Sequence, residues 1–473
     1  MKYTHNQKKF YIQTFGCQMN EYDSERLIGN LENKGWTRVE KYKDADFVIL
    51  NTCSIREKAT HKIYSEIGRI NIEKQNNRKN GRYMVIAVLG CVPEVEKDKM
   101  FSKAPAIDIL LSPQSHLKLL DYTNEVLENL EERKSKDGKN VNLIATKTHF
   151  AELGLDANLK FDFLAEERKN FNGVSAYITI QEGCNKFCTY CVVPNTRGRE
   201  LPRKAEDILK EVNEVVKQGA KEVVLLGQNV SSYKYIDNKQ KTWTLVELIE
   251  EVAKIPDILR IRYITSHPRD ITQELIDLHK REPKITPYLH LPVQAGSDEV
   301  LKKMNRKYTA DFYLDIIERF RKAVPNIVFS SDFIVAFPSE TDADFEDTLK
   351  LVKKVNYKAQ CFSFKYSRRP NTPANIMKEQ IPDDIASKRL DKLQALLEKQ
   401  RMDFAKSLQG KAVNVLFDNM HMQNELQICG RDEYMHLVVY NCKNKDEKQQ
   451  LFGKLLPVKI TEIGANVLTC ELI

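Results

Sequence analysis

The sequence predicts a mixed α/β protein in three parts: an N-terminal parallel-sheet α/β domain, a central partial (β/α)6 TIM-like barrel, and a small C-terminal β-barrel of the OB kind. Three observations predict it. Apolar strand patterns alternate with helical patterns twice, once before residue 130 and again from Ser175, and such alternation argues for parallel sheets covered by helices. A charged tract, Glu131 to Asn140 (EERKSKDGKN), separates the two series and reads as a solvated linker. After Gly410 only short alternating strands follow. A chain of 473 residues has room for roughly two to four domains. The expected boundaries are 8–130, a linker over 131–170, 171–402 and 403–473.

In the first series, Phe10 to Phe15 reads as a strand and Tyr22 to Lys34 as a helix ending near Gly35. Asp46 to Leu50, Met84 to Leu89 and Ile107 to Leu111 read as further strands, with a polar helix from Ile55 to about Glu73. The second series places strands at Tyr177–Gln181, Glu222–Leu226, Arg260–Thr265, Tyr288–Val293, Ile327–Ile334 and Gln360–Lys365, with helices such as Ala205–Gln218 and Asp342–Val355 between them. Six such units make most of a TIM barrel, whose chemistry sits in the loops at the strand C-termini. A helix over Asp383–Ser407 leads to five short strands: Val413–Phe417, Glu425–Cys429, Leu437–Tyr440, Leu455–Ile460 and Val467–Leu472.

Composition narrows the function class. Hydrophobic residues make up 42% and charged residues 30% of the chain, a globular balance. No apolar run approaches the ~20 residues that cross a bilayer, so no membrane partner is expected. The start, MKYTHNQKKF, lacks an apolar signal-like core, which leaves a cytoplasmic protein as the expectation. The net charge of +8 hints at a polyanionic partner, and it is concentrated centrally: residues 171–402 hold 38 Lys+Arg against 32 Asp+Glu. The C-terminal segment 403–473 holds 8 against 9. It therefore lacks the basic footprint of a nucleic-acid binder, although Phe417, Tyr434, Tyr440 and Phe452 could stack bases.

Ten cysteines demand an explanation, because a reducing compartment turns grouped cysteines toward metal or redox chemistry. Cys184, Cys188 and Cys191 lie within eight residues, directly after the first barrel strand. Three thiolates can hold three irons of a 4Fe–4S cluster and leave the fourth iron open to a small chelating ligand. A structural zinc site would want a fourth protein ligand, and neither His nor another Cys lies close in sequence. Cys17, Cys53 and Cys91 form a second trio: each follows a strand of the first series. Strand C-termini share one edge in a parallel sheet, where ligands gather. One such thiol alone would be an ordinary buried cysteine; three at equivalent strand ends suggest a second cluster with one open iron. Cys361 and Cys470 read as core, Cys442 as part of a polar turn, and Cys429 has no assigned chemistry.

The C-x3-C-x2-C run after strand one of a six-unit barrel resembles the radical S-adenosylmethionine (SAM) superfamily. That resemblance implies that the open iron chelates the amino and carboxylate groups of SAM. One electron then cleaves the sulfonium to a 5′-deoxyadenosyl radical, while the protein positions and shields the cofactor. The two trios and the three-part architecture together resemble the methylthiotransferase family over nearly the whole chain. Gln13–Asn20, Asn51-Thr52-Cys53-Ser54-Ile55-Arg56 and Leu89-Gly90-Cys91 look like its auxiliary-cluster loops. Several segments resemble the branch that acts on isopentenylated adenosine in tRNA: Cys191–Pro194 with Thr196–Arg199, Leu226–Val230, Thr265–Pro268, His290–Gln294 and Phe364–Ala374. The last domain would then be a TRAM domain.

The resemblance implies C–H to C–S–CH3 conversion at carbon 2 of an adenine next to the anticodon. It uses two SAM and two 4Fe–4S clusters, one SAM giving the radical and the other the methyl group. Catalytic Cys184, Cys188 and Cys191, with Cys17, Cys53 and Cys91, are the metal ligands so implied. Gly227, Gln228 and Asn229 resemble the segment holding the amino group of SAM; Gln294 and Asp332 are further cofactor-binding candidates, and His267 could touch cofactor or substrate. Arg368 and Arg369 are candidate RNA phosphate contacts. The implied partners are a tRNA anticodon stem-loop and an electron donor such as flavodoxin or ferredoxin, acting on a monomer. The chain departs from the family pattern at Asn195, where an aromatic residue is expected, and at Ala336 and Ser339, which replace glycines. Two other readings compete. A methylthiotransferase could act instead on threonylcarbamoyladenosine in tRNA or on a ribosomal-protein aspartate. A non-catalytic iron–sulfur RNA-binding or redox-sensing protein needs neither an open iron nor a barrel, so the 184–188–191 spacing disfavours it.

Overall fold

The computed structural model describes residues 8–53, 57–97, 99–137, 149–165, 167–168, 170–419 and 424–473. Of the segments singled out above, Ser54-Ile55-Arg56 and residues 138–148 lie outside the described residues. The chain forms two compact units. One takes in the chain through Phe171 with Glu182–Asn185 and Val192–Leu201; the other comprises Asn172–Gln181, Lys186–Cys191 and everything from Pro202.

The first unit is built on six parallel strands in the spatial order Thr37–Arg38, Lys9–Thr14, Phe47–Thr52, Val85–Gly90, Ile109–Leu111 and Phe150–Glu152. Phe47–Thr52 and Val85–Gly90 are buried along their whole length, the pattern of parallel strands covered on both faces. Val48, Ile86 and Val88 pack with Ile63 and Ile67 of the helix Glu57–Lys79. Because the first strand lies between the second and third, the topological switch point falls between Lys9–Thr14 and Phe47–Thr52.

The structure differs from the linker expected over 131–170. The helix Leu119–Asp137 runs on into the charged tract. Phe150–Glu152 then adds the sixth strand, and Ala157–Ala165 is helical. A three-residue strand is too short to carry an alternating pattern, and a charged run is compatible with a helix as well as with a linker.

In the second unit, Ser175–Thr179, Glu222–Leu226 and Arg260–Tyr263 pair in parallel and in sequence order. Tyr288–His290 pairs with Val328–Ser330, and Asp332–Val335 with Phe362–Lys365. Single bridges, Ile261 to Ile285 and Gln294 to Phe333, continue the series. The fifth strand, which the sequence presents as one run, breaks at Ser331, whose hydroxyl accepts the Val293 N–H at 2.9 Å.

The last five strands close a barrel in the order Ala412–Asn419, Gln427–Asp432, Leu437–Asn441, Leu468–Leu472, Leu455–Ile463. All neighbours are antiparallel except Leu437–Asn441 with Leu468–Leu472. Phe417 points inward with Val413 and Val415, as the two-residue period of a strand requires, and so offers no stacking face. Cys442 is not in an open turn but in this core, its N–H donating to Leu426 O at 2.8 Å.

This barrel is held at the N-terminal ends of the central strands. Arg260 donates to Arg431 O at 2.9 Å, and Arg262 to Asp432 O at 2.8 Å. Both guanidiniums face Glu222, and Ser175 donates to Asp418 at 3.2 Å. Burial alone would push the Glu222 carboxyl up, yet Arg262 and Arg260 together hold it below its ordinary value. No helix among the described residues is long and apolar enough to cross a membrane.

Candidate active site

The structure places Cys17, Cys53 and Cys91 at the C-terminal ends of three adjacent strands, Cys17 and Cys53 flanking the switch point. Cys17 is the residue before the helix Gln18–Asn33, and Cys91 opens the helix Cys91–Glu96. Two glycines allow the turns to come this close. Gly16 has φ +122°, and a Cβ on it would lie 2.1 Å from Cys53 Cβ; Gly90 has φ +97°, and its Cβ would lie 2.2 Å from Thr52 O. No side chain fits at either position. A hydrogen bond with the Cys53 thiol lowers the Cys17 thiol to about 6 against the opposing effect of burial, with help from Arg197 and the Asn20 N–H. Burial pushes the Cys91 thiol up, and Arg197 opposes it.

Arg197 therefore stands beside this trio, and its charge is compensated. Its guanidinium donates to both Glu182 oxygens at 3.0 and 3.2 Å and to Asn20 Oδ1 at 3.3 Å, and lies 3.8 Å from Asp23. Lys160, fully buried, pairs with Asp23 at 2.8 Å and with Glu182. Two buried cations thus meet two buried anions, which is what makes such burial tolerable. None of the ten cysteines forms a disulfide. No group of three or more His, Cys, Asp or Glu among the described residues is spaced for a single metal ion. The soft donor set of three thiols suits an iron–sulfur cluster rather than a hard cation.

The other three cysteines share one loop. In the first unit, the Cys184 N–H donates to Gly198 O at 3.2 Å. Gly183 before it has φ +74°, and a Cβ there would meet Arg199 O at 2.0 Å. In the second unit, the Cys191 N–H donates to Cys188 O at 3.0 Å, and Arg306 Nη1 donates to Cys188 Sγ at 3.4 Å. Lys186, inside the C-x3-C segment, is paired with Asp270 at 2.6 Å.

The softer candidates follow the strand ends of the second unit. Gly227 follows Glu222–Leu226, where a Cβ would be a tight fit, 3.2 Å from Val230 Cγ1 and 3.4 Å from Gln181. Gln228 follows it, and Asn229 is buried, donating to Asp270 at 2.7 Å and accepting the His267 N–H at 3.0 Å. His267 Nδ1 accepts from Arg269 N–H, so the ring proton sits on Nε2, which has no partner among the described residues. Burial pushes this imidazole down to about 2, so it is neutral. Gln294 and Asp332 are joined through the backbone, Gln294 N–H to Asp332 O at 2.9 Å, and the Asp332 carboxylate lies 3.6 Å from His290 Nε2. Arg368 is exposed and has no ion-pair partner among the described residues; Arg369 is half-buried.

Backbone strain gathers at the same strand ends. Thr265 (φ +68°), Gln294 (φ +77°), Ala336 (φ +56°) and Ser339 (φ +64°) are all left-handed, and such residues concentrate at functional sites. Ala336 and Ser339 are the two positions where the family resemblance leads to an expectation of glycine. Both are left-handed here, so each side chain carries a cost of about 1–2 kcal/mol. Arg306, Asp270, Lys160, Asp23 and Glu182 do not stand out in sequence, since a buried pair between residues dozens of positions apart leaves no periodic signal.

The chain matches the Radical SAM superfamily over residues 178–352 and the uncharacterized protein family UPF0004 over residues 9–112. It is similar to tRNA-2-methylthio-N(6)-dimethylallyladenosine synthase of Rickettsia felis, at 46% identity over 98% of this chain and 100% of that protein. The protein of the same description from Rickettsia bellii is 46% identical over 98% of this chain and 99% of its own length. Among solved structures it resembles the radical SAM methyltransferase TsrM from Kitasatospora setae, with a TM-score of 0.54, 12% identity, and coverage of 78% of this chain and 74% of that one. At that identity the likeness is one of fold.

Proposed function

The chain belongs to the tRNA-2-methylthio-N(6)-dimethylallyladenosine synthase family within the radical SAM superfamily, and we propose that it converts N6-isopentenyladenosine beside the anticodon of tRNA to its 2-methylthio derivative. The observation that carries this reading is the set of three cysteines gathered at one sheet edge around a charge-compensated arginine, in a chain that also holds the C-x3-C-x2-C loop. When bound, two 4Fe–4S clusters and SAM supply one-electron cleavage of SAM, hydrogen removal from the base, and transfer of sulfur and methyl.

Each residue then has a task. Cys184, Cys188 and Cys191 would hold the SAM-cleaving cluster, and Cys17, Cys53 and Cys91 the auxiliary one. Three thiolates each leave one iron for a non-protein ligand. Cys17, its thiol already lowered, is suited to serve as a thiolate ligand. The Gly227–Asn229 turn offers backbone and amide groups to SAM, fixed in place by Asp270. Gln294 and Asp332 are joined through the backbone, and the His267 Nε2–H, unpartnered among the described residues, suits a polar ligand. The neutral imidazole can donate a hydrogen bond without adding charge.

The tRNA would be held by phosphate contacts at Arg368 and Arg369 and by the C-terminal barrel acting as a TRAM domain, with a flavodoxin or ferredoxin supplying the electron. The protein acts as a monomer in the cytoplasm in this reading. The test is mass analysis of tRNA nucleosides from cells lacking the protein. Loss of the 2-methylthio nucleoside with accumulation of its isopentenyl precursor is expected; an unchanged nucleoside pattern would contradict the assignment.

A further inference from the structure

We propose that Arg306 is a positioning residue for the SAM-cleaving cluster: it grips the Cys188 sulfur and raises the reduction potential of the iron–sulfur group held there. The inference rests on the reading that Cys184, Cys188 and Cys191 hold that cluster. Arg306 is 5% exposed. Its fork is used on every side: Nη1 donates to Cys188 Sγ at 3.4 Å, Nη2 to Pro292 O at 2.8 Å, and Nε to Tyr308 Oη at 2.9 Å. The guanidinium lies 5.2 Å from the centroid of the Tyr308 ring, and the tyrosine hydroxyl is itself anchored, donating to Val293 O at 2.8 Å.

What is missing is an anion. No carboxylate among the described residues pairs with Arg306. The nearby Lys186 has its own acid in Asp270. By contrast Arg197, the buried arginine beside the other trio, is compensated by Glu182. A buried cation without a counter-charge is costly, so the site calls for a negative group beside Cys188. A thiolate-ligated cluster is such a group.

The direction of the effect follows from charge. Reduction adds one electron, and a fixed cation donating a hydrogen bond to a cluster sulfur stabilises the more negative state. The planar fork matters as well, since it reaches Cys188, Pro292 and Tyr308 from three separate nitrogens, whereas an ammonium has one nitrogen from which to place its donors.

The test uses the full chain carrying Cys17→Ala, Cys53→Ala and Cys91→Ala, reconstituted without oxygen so that one cluster remains. Redox titration is followed by the EPR signal of the reduced cluster. Arg306→Gln should lower the reduced-to-oxidised ratio at fixed potential by at least tenfold, a midpoint about 59 mV more negative for one electron. Arg306→Lys, which keeps charge and loses the fork, should fall between. An unchanged midpoint in Arg306→Gln with iron retained overturns the proposal. Should Arg306→Gln lose its iron, Arg306→Lys decides: a lowered midpoint supports the proposal and an unchanged one overturns it. A parent protein with no reducible signal overturns the cluster assignment and this inference with it, whereas signal with immobile midpoints overturns this inference alone.

Discussion

The two cysteine trios do the same job of offering three thiols, and the chain assembles them in opposite ways. Cys184, Cys188 and Cys191 come from one loop, so a short stretch of sequence suffices to define them. Cys17, Cys53 and Cys91 are brought together only because three strands are parallel and neighbouring. Their electrostatic settings differ too. The sheet-edge trio adjoins Arg197, balanced by Glu182 and Asp23 with Lys160, while Cys188 faces Arg306, which has no acid among the described residues. In one setting the buried cations are already matched by acids; in the other the cation has no acid among the described residues. A loop-borne ligand set can be read locally, and a fold-borne set depends on every element between its members.

The largest expected effect breaks the comparison into its two halves. Replacing Cys184, Cys188 and Cys191 with Ala should abolish 5′-deoxyadenosine formation and remove about half the iron, as the proposed assignment of one cluster to each trio requires. Replacing Cys17, Cys53 and Cys91 should leave SAM cleavage measurable while methylthio product disappears. A full iron complement in this second variant would refute the auxiliary cluster.

The charge contrast should appear as stability of the metal-free protein. Glu182→Gln leaves Arg197 and Lys160 with one acid between them, and should cost about 3–5 kcal/mol in urea unfolding. Arg306→Gln removes an uncompensated cation, so it should not destabilise the metal-free chain. If the two substitutions destabilise alike, the difference in charge balance has no energetic content.

The thiols themselves give a pH test in the metal-free protein. The Cys17 thiolate is favoured in the folded state, so its alkylation rate should climb through about pH 6 and level off near neutrality. The Cys91 thiol is shifted the other way, by burial, and its rate should still be climbing above pH 9. At pH 7 peptide mapping should find Cys17 alkylated at least about tenfold faster. Because the Cys53 hydrogen bond is the main cause of the lowered value, Cys53→Ala should move the Cys17 midpoint upward.

The smallest effect concerns the strained loop after the fifth barrel strand. Ala336→Gly relieves a left-handed alanine and should stabilise by about 1 kcal/mol, net of the entropy glycine adds to the unfolded chain. A rise in Tm of a few degrees at most is the expected reading, and a fall would show that the φ of +56° is held without strain.

Most of the architecture was legible because its period changes are long and clean. The six central strands, the long helix Asp383–Ser407 and the five barrel strands each carry a pattern of their own. What escaped is short or non-local. Thr37–Arg38 and Phe150–Glu152 have too few residues for an alternation, yet the first of them creates the switch point at which Cys17 and Cys53 stand. Phe417 looked like a surface aromatic until the register of Ala412–Asn419 turned it inward. Gly16, Gly90 and Gly183 are legible as turn residues, but the close contacts that demand them belong to residues elsewhere in the sequence. Arg306 lies in a lysine-rich stretch with no motif to mark it, and only its burial against Cys188 gives it meaning.

The central claim is that this protein methylthiolates isopentenylated tRNA, and paired substrates test it most directly. An anticodon stem-loop should suffice, since single-stranded loop bases can be splayed into a pocket. The five-carbon isopentenyl tail, buried at roughly 0.8 kcal/mol per CH2-sized group, should contribute about 2–4 kcal/mol. Initial rates on isopentenylated and unmodified stem-loops are measured at equal, subsaturating concentration with the reconstituted enzyme. The account predicts at least about a thirtyfold preference for the isopentenylated RNA, and equal rates on the two would contradict it.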